Sequence, residues 1–337
     1  MELLQIGLGT LVLMIALTLA MSFVGAWQAA ASSVESVIST GALRPAHAVI
    51  LAASLNSLGP FLLTPAIAAL VATGLVDPGR VDSACVLAAL ATALAFAVVG
   101  ARLGLSPNST HTALGALLGA SIAAQGLGGL SVAGVSMLLT ASALAPAAAF
   151  TCAAMGWIVL AHLLRCSNPR VTDRFARKTQ WLTCGVFNVA RGNQIAHTGL
   201  GLIWLALIIS GLVAADDAAP GWVFSVLVAL AVGAGTLAGG FALIRQHRLS
   251  RARLRPAQAA CAEAAAAFIL AATSSAGIPV ASPHVLTAST LGASQSGRPS
   301  LKHWGINARV LATAVLSLPG AALVGAVIWR IIRTLIA

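Results

Sequence analysis

The chain contains no tyrosine, and only 8% of its 337 residues carry a charged side chain, while 59% are hydrophobic. A soluble domain carries about a quarter charged residues. So few charges cannot cover a water-facing surface, so a soluble fold is excluded and a polytopic membrane protein is expected. Without tyrosine, any interfacial aromatic belt must come from Trp and Phe. The 5 cysteines are odd in number and sit mostly in apolar runs, with neither a disulfide framework nor metal-ligand spacing. No "GxxxxGK[ST]" loop occurs, which excludes ATP hydrolysis through that motif. Ser109 and His111 are too close in sequence for a hydrolase pair and lack an acidic third member. No catalytic activity and no cofactor are expected.

Apolar runs lie near 4–24, 47–74, 83–103, 131–164, 195–214, 221–244, 257–276 and 306–332, and a helix of roughly 20 such residues crosses the hydrocarbon core. The first run has no basic leader and is longer than a signal-peptide core, so it reads as a retained helix. Net charge is +11. The positive charges gather at loop edges. Arg165, Arg170, Arg174, Arg177 and Lys178 form one cluster, and Arg245, Arg248, Arg251, Arg253 and Arg255 another. Short basic loops stay cytoplasmic, so these clusters read as topology signals and anionic-lipid contacts rather than a nucleic-acid surface.

The chain repeats itself. "GLSPNSTHTALGALLGAS" (104–121) and "GIPVASPHVLTASTLGAS" (277–294) superimpose at a constant offset. Gly104 meets Gly277, Ser109 meets Ser282, His111 meets His284, and Leu118–Ser121 meets Leu291–Ser294. Repetition in register points to duplication. We divide the chain into a first membrane repeat (1–166), a basic cytoplasmic connecting loop (167–178) and a second membrane repeat (179–337). Both Ser/His stretches are too polar to face lipid and suit re-entrant hairpins with Pro107 and Pro283 at their tips. The returning helices would aim their free amides and positive dipole ends at the tips, which suits an anion. Each half also opens with a long segment carrying a polar interruption, residues 23–43 and 187–202. Such matched interruptions are the best sequence pointer to a transporter's binding site, and a broken helix is expected at each.

These features together resemble the inorganic phosphate transporter (PiT) family. Ser109, Thr110 and His111 are similar to the end of the family's "G-L-P-V-S-T-T-H" hairpin signature. Gly277, Pro279, Val280, Ser282 and His284 resemble its second copy, and Glu263 stands where the family has an Ala-Glu pair. The resemblance implies an all-α carrier built as an inverted repeat, with phosphate as substrate, alternating access as mechanism, the cytoplasmic membrane as location and a homodimer as assembly. The same family also includes sulfate permeases. A non-transporting regulatory partner is the alternative of a different class. Where the family reads Gly-Ala-Asn-Asp, this chain has Gly25, Ala26, Trp27 and Gln28, and in the second half Arg191, Gly192, Asn193 and Gln194. Both signature aspartates are absent. A hard cation prefers anionic oxygen ligands, so sodium coupling is not expected. A proton gradient could drive uptake in its place, through His111, His284 or Glu263.

The candidate substrate ligands are therefore Ser109, Thr110, His111, Ser282, His284, Arg191, Asn193, Gln194 and Gln28. Several keep two readings. Each histidine either binds substrate or braces its hairpin. Arg191 lies at a depth where a cation is costly and usually functional, or it snorkels to the interface. Glu263 either carries a proton or favours a helix start. Ser32, Ser36, Ser39 and Thr40 fall near one helical face, as pathway lining or as close-packing small residues. Asn56 reads as an interhelical hydrogen-bonding residue.

Overall fold

The computed structural model describes residues 7–103, 108–217, 219–245, 254–294 and 301–336. Gly104, Pro107, Arg248, Arg251 and Arg253 lie outside the described residues. Eleven α-helices follow in order: α1 (Leu8–Ser39), α2 (Pro45–Leu62), α3 (Ala66–Ala69), α4 (Ser83–Leu103), α5 (Ser109–Gln125), α6 (Val132–Leu164), α7 (Pro169–Ile209), α8 (Trp222–Arg245), α9 (Pro256–Ser275), α10 (Ser282–Ala293) and α11 (Leu301–Ile336). Among the described residues, 9 helices are long and apolar enough to cross a membrane.

The ends of these helices follow local chemistry. Proline opens α2, α7 and α9, where its missing N–H is not needed. Asn108 caps α5 by accepting from His111 N (3.0 Å), and Asn168 caps α7 by accepting from Arg170 N (3.0 Å). The opening helices of the two halves close alike: Gly41 (φ 69°) follows α1 and Gly211 (φ 74°) follows α7. Both take the left-handed conformation that only glycine adopts freely.

Two expectations are corrected here. The polar stretches of α1 and α7 do not break their helices, which run unbroken through Gly25–Gln28 and Arg191–Gln194. Neither stretch contains proline, and polar side chains there hydrogen-bond within the helix or across to neighbours, so the backbone ladder survives. Thr40 donates to the carbonyl four residues back, as do Asn188 and Thr198. The interruption falls instead within the apolar run 47–74. α2 ends at Leu62, Leu63 is extended (φ −122°, ψ 170°), and the chain resumes after Pro65 as α3 and a π-turn at Leu70–Gly74. Proline drives the residue before it out of the helical region. The second correction concerns the connecting loop. Residues 169–178 are the first turns of α7, leaving only Arg165–Asn168 between α6 and α7.

Both hairpins are present. Arg80 donates to the Gly128 carbonyl (3.2 Å), which places the end of α5 beside the start of α4. Gln258 donates to the Ala293 carbonyl (3.1 Å), which places the end of α10 beside the start of α9. With 12 residues, α10 rises about 18 Å, short of the roughly 30 Å hydrocarbon core, so it ends part-way across. The first hairpin opens at the end bearing Asp77 and Asp82, and the second at the end bearing Arg255.

Packing is reciprocal between the halves. α1 lies on α8 as α7 lies on α2, and α5 lies on α11 as α10 lies on α6. α7 is the most enclosed spanning helix. It approaches α2 backbone to backbone: a Cβ on Gly192 would meet the Asn56 carbonyl oxygen at 2.0 Å, and one on Gly59 would meet Asn193 N at 2.4 Å. Close approach of this kind is how small residues associate helices in a membrane. Gly192→Ala should therefore destabilise the protein by at least about 1–3 kcal/mol, the usual cost of overpacking. A thermal unfolding scan in detergent should show a clear drop, whereas Gly9→Ala, with open space around it, should leave the midpoint unchanged.

Candidate functional site

Two connected polar groups occupy the interior. The first lies where α1, α2, α7 and α8 meet, and Ser33 is its hub. Arg191 donates from one terminal nitrogen to Ser33 Oγ (2.5 Å) and from the other to the Ala29 carbonyl. Asn56 donates to the same Ser33 Oγ (3.4 Å) and to Thr236 Oγ1 (3.1 Å). Asn188 donates to the Ser33 carbonyl (3.2 Å). Arg191 is 1% exposed, and among the described residues no carboxylate lies within salt-bridge distance of it. Snorkelling is thereby excluded, because the guanidinium is directed into the protein.

Several valences here are unused. Arg191 Nε, Asn56 Oδ1 and both amide atoms of Asn193 lack hydrogen-bond partners among the described residues. His197, one turn beyond Asn193, lies by the Pro60 carbonyl, but neither ring nitrogen makes a hydrogen bond of good geometry. Buried polar groups are nearly always paired, so an unpaired donor–acceptor set at membrane depth marks a place where a polar solute can bind. His197 was not singled out from sequence. Its spacing of four from Asn193, on the same helix face, was the available signal.

The second group is the pair of hairpin tips. The rings of His111 and His284 face one another, with centroids 6.1 Å apart. Thr110, His111, Ser282 and His284 are all buried. His111 Nε2 lies 3.4 Å from Ser142 Oγ of α6, while its Nδ1 has no partner. Ser109 fits against α1 at Gly25, where a Cβ would meet Ser109 Oγ at 2.2 Å. α10 starts without a side-chain cap, which leaves its first amide and positive dipole end directed toward the tip.

Gln28 and Gln194 link these groups to the surrounding helices, and they differ. Gln194 bonds through both amide atoms. Its amide nitrogen donates to Thr273 Oγ1 (3.1 Å) and Ser274 Oγ (3.2 Å), and its oxygen accepts from Val280 N (3.1 Å). It braces α7 against the second hairpin: its amide protons are used, and its oxygen already accepts one hydrogen bond. Gln28 donates to the Ala97 carbonyl (3.0 Å), and its oxygen is free.

Glu263 lies apart from the tips, between α1, α7 and α9, and is 2% exposed. Ser36 donates to one of its oxygens and Thr183 to the other (2.8 Å). Thr40 and Gln180 continue this hydrogen-bonded set toward the basic end of the molecule (2.7 Å). Ser33 and Ser36 are three residues apart on α1. Arg191 and Glu263 therefore grip one face of one helix, a turn apart.

Comparison with known proteins identifies the family and the fold. The family model described as the phosphate transporter family matches residues 24–325. A probable low-affinity inorganic phosphate transporter of Bacillus subtilis (strain 168) is 31% identical over 96% of this chain and 97% of its own length. One of Rhizobium meliloti (strain 1021) is 29% identical over 94% of both chains. A solved structure described as the sodium-dependent phosphate transporter has the same fold, with a TM-score of 0.87 at 14% identity, covering 97% of this chain and all of that one. The chain belongs to the phosphate transporter family.

Proposed function

We propose that the protein carries inorganic phosphate across the cell membrane by alternating access, through the Ser33-centred layer and the hairpin tips. The observation that carries this reading is Arg191: a buried guanidinium with no carboxylate partner among the described residues, beside donors and acceptors that are unused among them. An oxyanion entering the membrane loses its hydration, and the site must return that stabilisation through positive charge and donors. The halves act as inverted repeats, a reading supported by hairpins that open at opposite ends and meet at their tips.

Phosphate is favoured over sulfate by the acceptors. Asn193 Oδ1, Asn56 Oδ1 and Gln28 Oε1 are buried and have no hydrogen-bond partner among the described residues. A protonated phosphate brings an O–H that such an oxygen can accept, whereas sulfate brings none, and leaving a buried acceptor unpaired is costly. In proteoliposomes, unlabelled phosphate should suppress uptake of radiolabelled phosphate, and equimolar sulfate should leave most of it. Equal suppression by both anions would overturn the assignment of phosphate.

Arg191→Gln should lower phosphate affinity by at least about tenfold, since truncating a buried charged hydrogen-bonding partner costs roughly 2–5 kcal/mol. Arg191→Lys should bind more weakly than the parent because an ammonium cannot reproduce the planar fork. Equilibrium binding to purified, monodisperse protein reads both. Parent-like affinity in Arg191→Gln would reduce Arg191 to a tie between α1 and α7.

Coupling follows from the same charges. A resident guanidinium beside Ala29 and Ser33 repels a second cation, and Gln28 and Gln194 stand where the resembled signature has carboxylates. Glu263, held between two hydroxyls, is the group we assign to proton exchange. Phosphate accumulation should therefore follow an inward proton gradient and persist when sodium is replaced by choline. Glu263→Gln should lose gradient-driven accumulation yet retain exchange of external for internal phosphate. Strict sodium dependence in the parent would overturn this coupling.

A further inference from the structure

The most concentrated charge in the described structure lies outside the transport core, on the start of α7. That helix has 41 residues and is about 61 Å long, roughly twice the hydrocarbon thickness. Its first turns therefore overhang the membrane at the basic end. Arg170, Arg174, Arg177 and Lys178 line a groove of about 500 Å³ there, closed by Trp181, Asp173 and Ala42. The basic positions recur at intervals of three and four, so they share one face of α7. Trp181 fixes one wall by donating from Nε1 to the Ala42 carbonyl (2.9 Å), which ties the α1–α2 turn to α7. None of the four cations has an ion-pair partner among the described residues, and Asp173 is the one carboxylate lining the groove.

The adjoining face is apolar. Val171, Phe175 and Leu182 are 65%, 71% and 68% exposed, and they follow the same helical spacing a quarter-turn round from the arginines. A charged groove alone would suit any soluble anion. A charged groove flanked by an apolar stripe, with a tryptophan at the boundary, matches a molecule with an anionic head and a hydrocarbon tail. Tryptophan favours that depth, and basic pockets between helices on the cytoplasmic side suit acidic headgroups.

We propose that this groove is a discrete site for an anionic phospholipid of the cytoplasmic leaflet, with the headgroup phosphate held by Arg170, Arg174, Arg177 and Lys178 and an acyl chain along Val171, Phe175 and Leu182. The site stands independently of the transported substrate. Its occupant also has a structural consequence. The groove wall is the α1–α2 turn, and α1 carries the Ser33 and Ser36 contacts, so a lipid held here braces one end of the transport core.

The test uses purified full-length protein in a neutral detergent. Native mass spectrometry would follow titration with phosphatidylglycerol, with phosphatidylcholine, and with phosphatidylglycerol in the presence of millimolar inorganic phosphate. The parent should bind phosphatidylglycerol saturably and at least about tenfold more tightly than phosphatidylcholine. Arg174→Gln/Arg177→Gln should weaken that binding about 30-fold, since each basic residue near an anionic surface contributes a factor of roughly five. Arg44→Gln/Arg165→Gln removes the same charge at the same end but outside the groove, and should shift it by less than about threefold. All substituted residues are exposed, so each variant should elute as the parent does. Equal losses in the two double variants would show diffuse attraction and overturn the proposal. Displacement of the lipid by inorganic phosphate would overturn it in favour of a free-anion site. Equal affinity for both lipids would overturn it outright.

Discussion

The rest of the structure depends on one constraint: α7 carries polar side chains through a region with no water. Asn188, Arg191, Asn193, Gln194 and His197 are all buried on it. Each has to find a partner inside the protein or remain unpaired at a cost. Asn188, Arg191 and Gln194 find partners, on α1 and on the second hairpin, and those partners set where α1 and the hairpin lie. Asn193 and His197 find none among the described residues. The division is therefore between residues that build the scaffold and residues left open to a solute, and both kinds occur within three turns of one helix.

Arg191 and Glu263 show why the charges are arranged as they are. A direct ion pair would neutralise both and leave neither free to respond to an entering ion. Here each contacts α1 separately, at Ser33 and at Ser36. A change in charge at either group alters its hold on the same helix face. The two groups are thus linked mechanically through α1 without being linked by a salt bridge, which is what a carrier needs if anion and proton are to report to one moving element.

The hairpins were legible in the sequence because serine and histidine recur in register, at Ser109 and Ser282 and at His111 and His284, and both imidazoles are buried. The membrane class and the central place of Arg191 were legible for a similar reason, since charge is so scarce here that each instance carries information. The helix interruption was not. Polar side chains in α1 and α7 looked like a break, yet polarity does not break a helix when neighbours can satisfy it. The real interruption needed only Thr64–Pro65 inside an otherwise apolar run. Gln194 looked like a substitute ligand because of its place in the motif. Only the positions of Thr273, Ser274 and Val280, some eighty residues away in sequence, show that it also ties α7 to the second hairpin. The start of α7 was read as loop because its charges suit a cytoplasmic segment. Asn168 and Pro169 are a helix-start signal that the charge pattern masked.

Glycine distribution explains how the hairpins are held. A Cβ on Gly115 would meet the Leu318 carbonyl oxygen at 2.3 Å, and one on Gly119 would meet that of Ala322 at 1.9 Å. On the other side, Gly292 stands equally close to the Phe150 carbonyl, at 2.2 Å. Each returning hairpin helix is thus seated, backbone against backbone, on the closing helix of the opposite half. Packed surfaces of this kind shift between discrete arrangements and do not deform continuously. A hairpin cannot leave its partner tip without carrying the other half's closing helix with it. The small contact between His111 and His284 is then where two such bodies meet. On the proposed alternating-access cycle, separating them from one end or the other would expose the same buried tips to opposite sides.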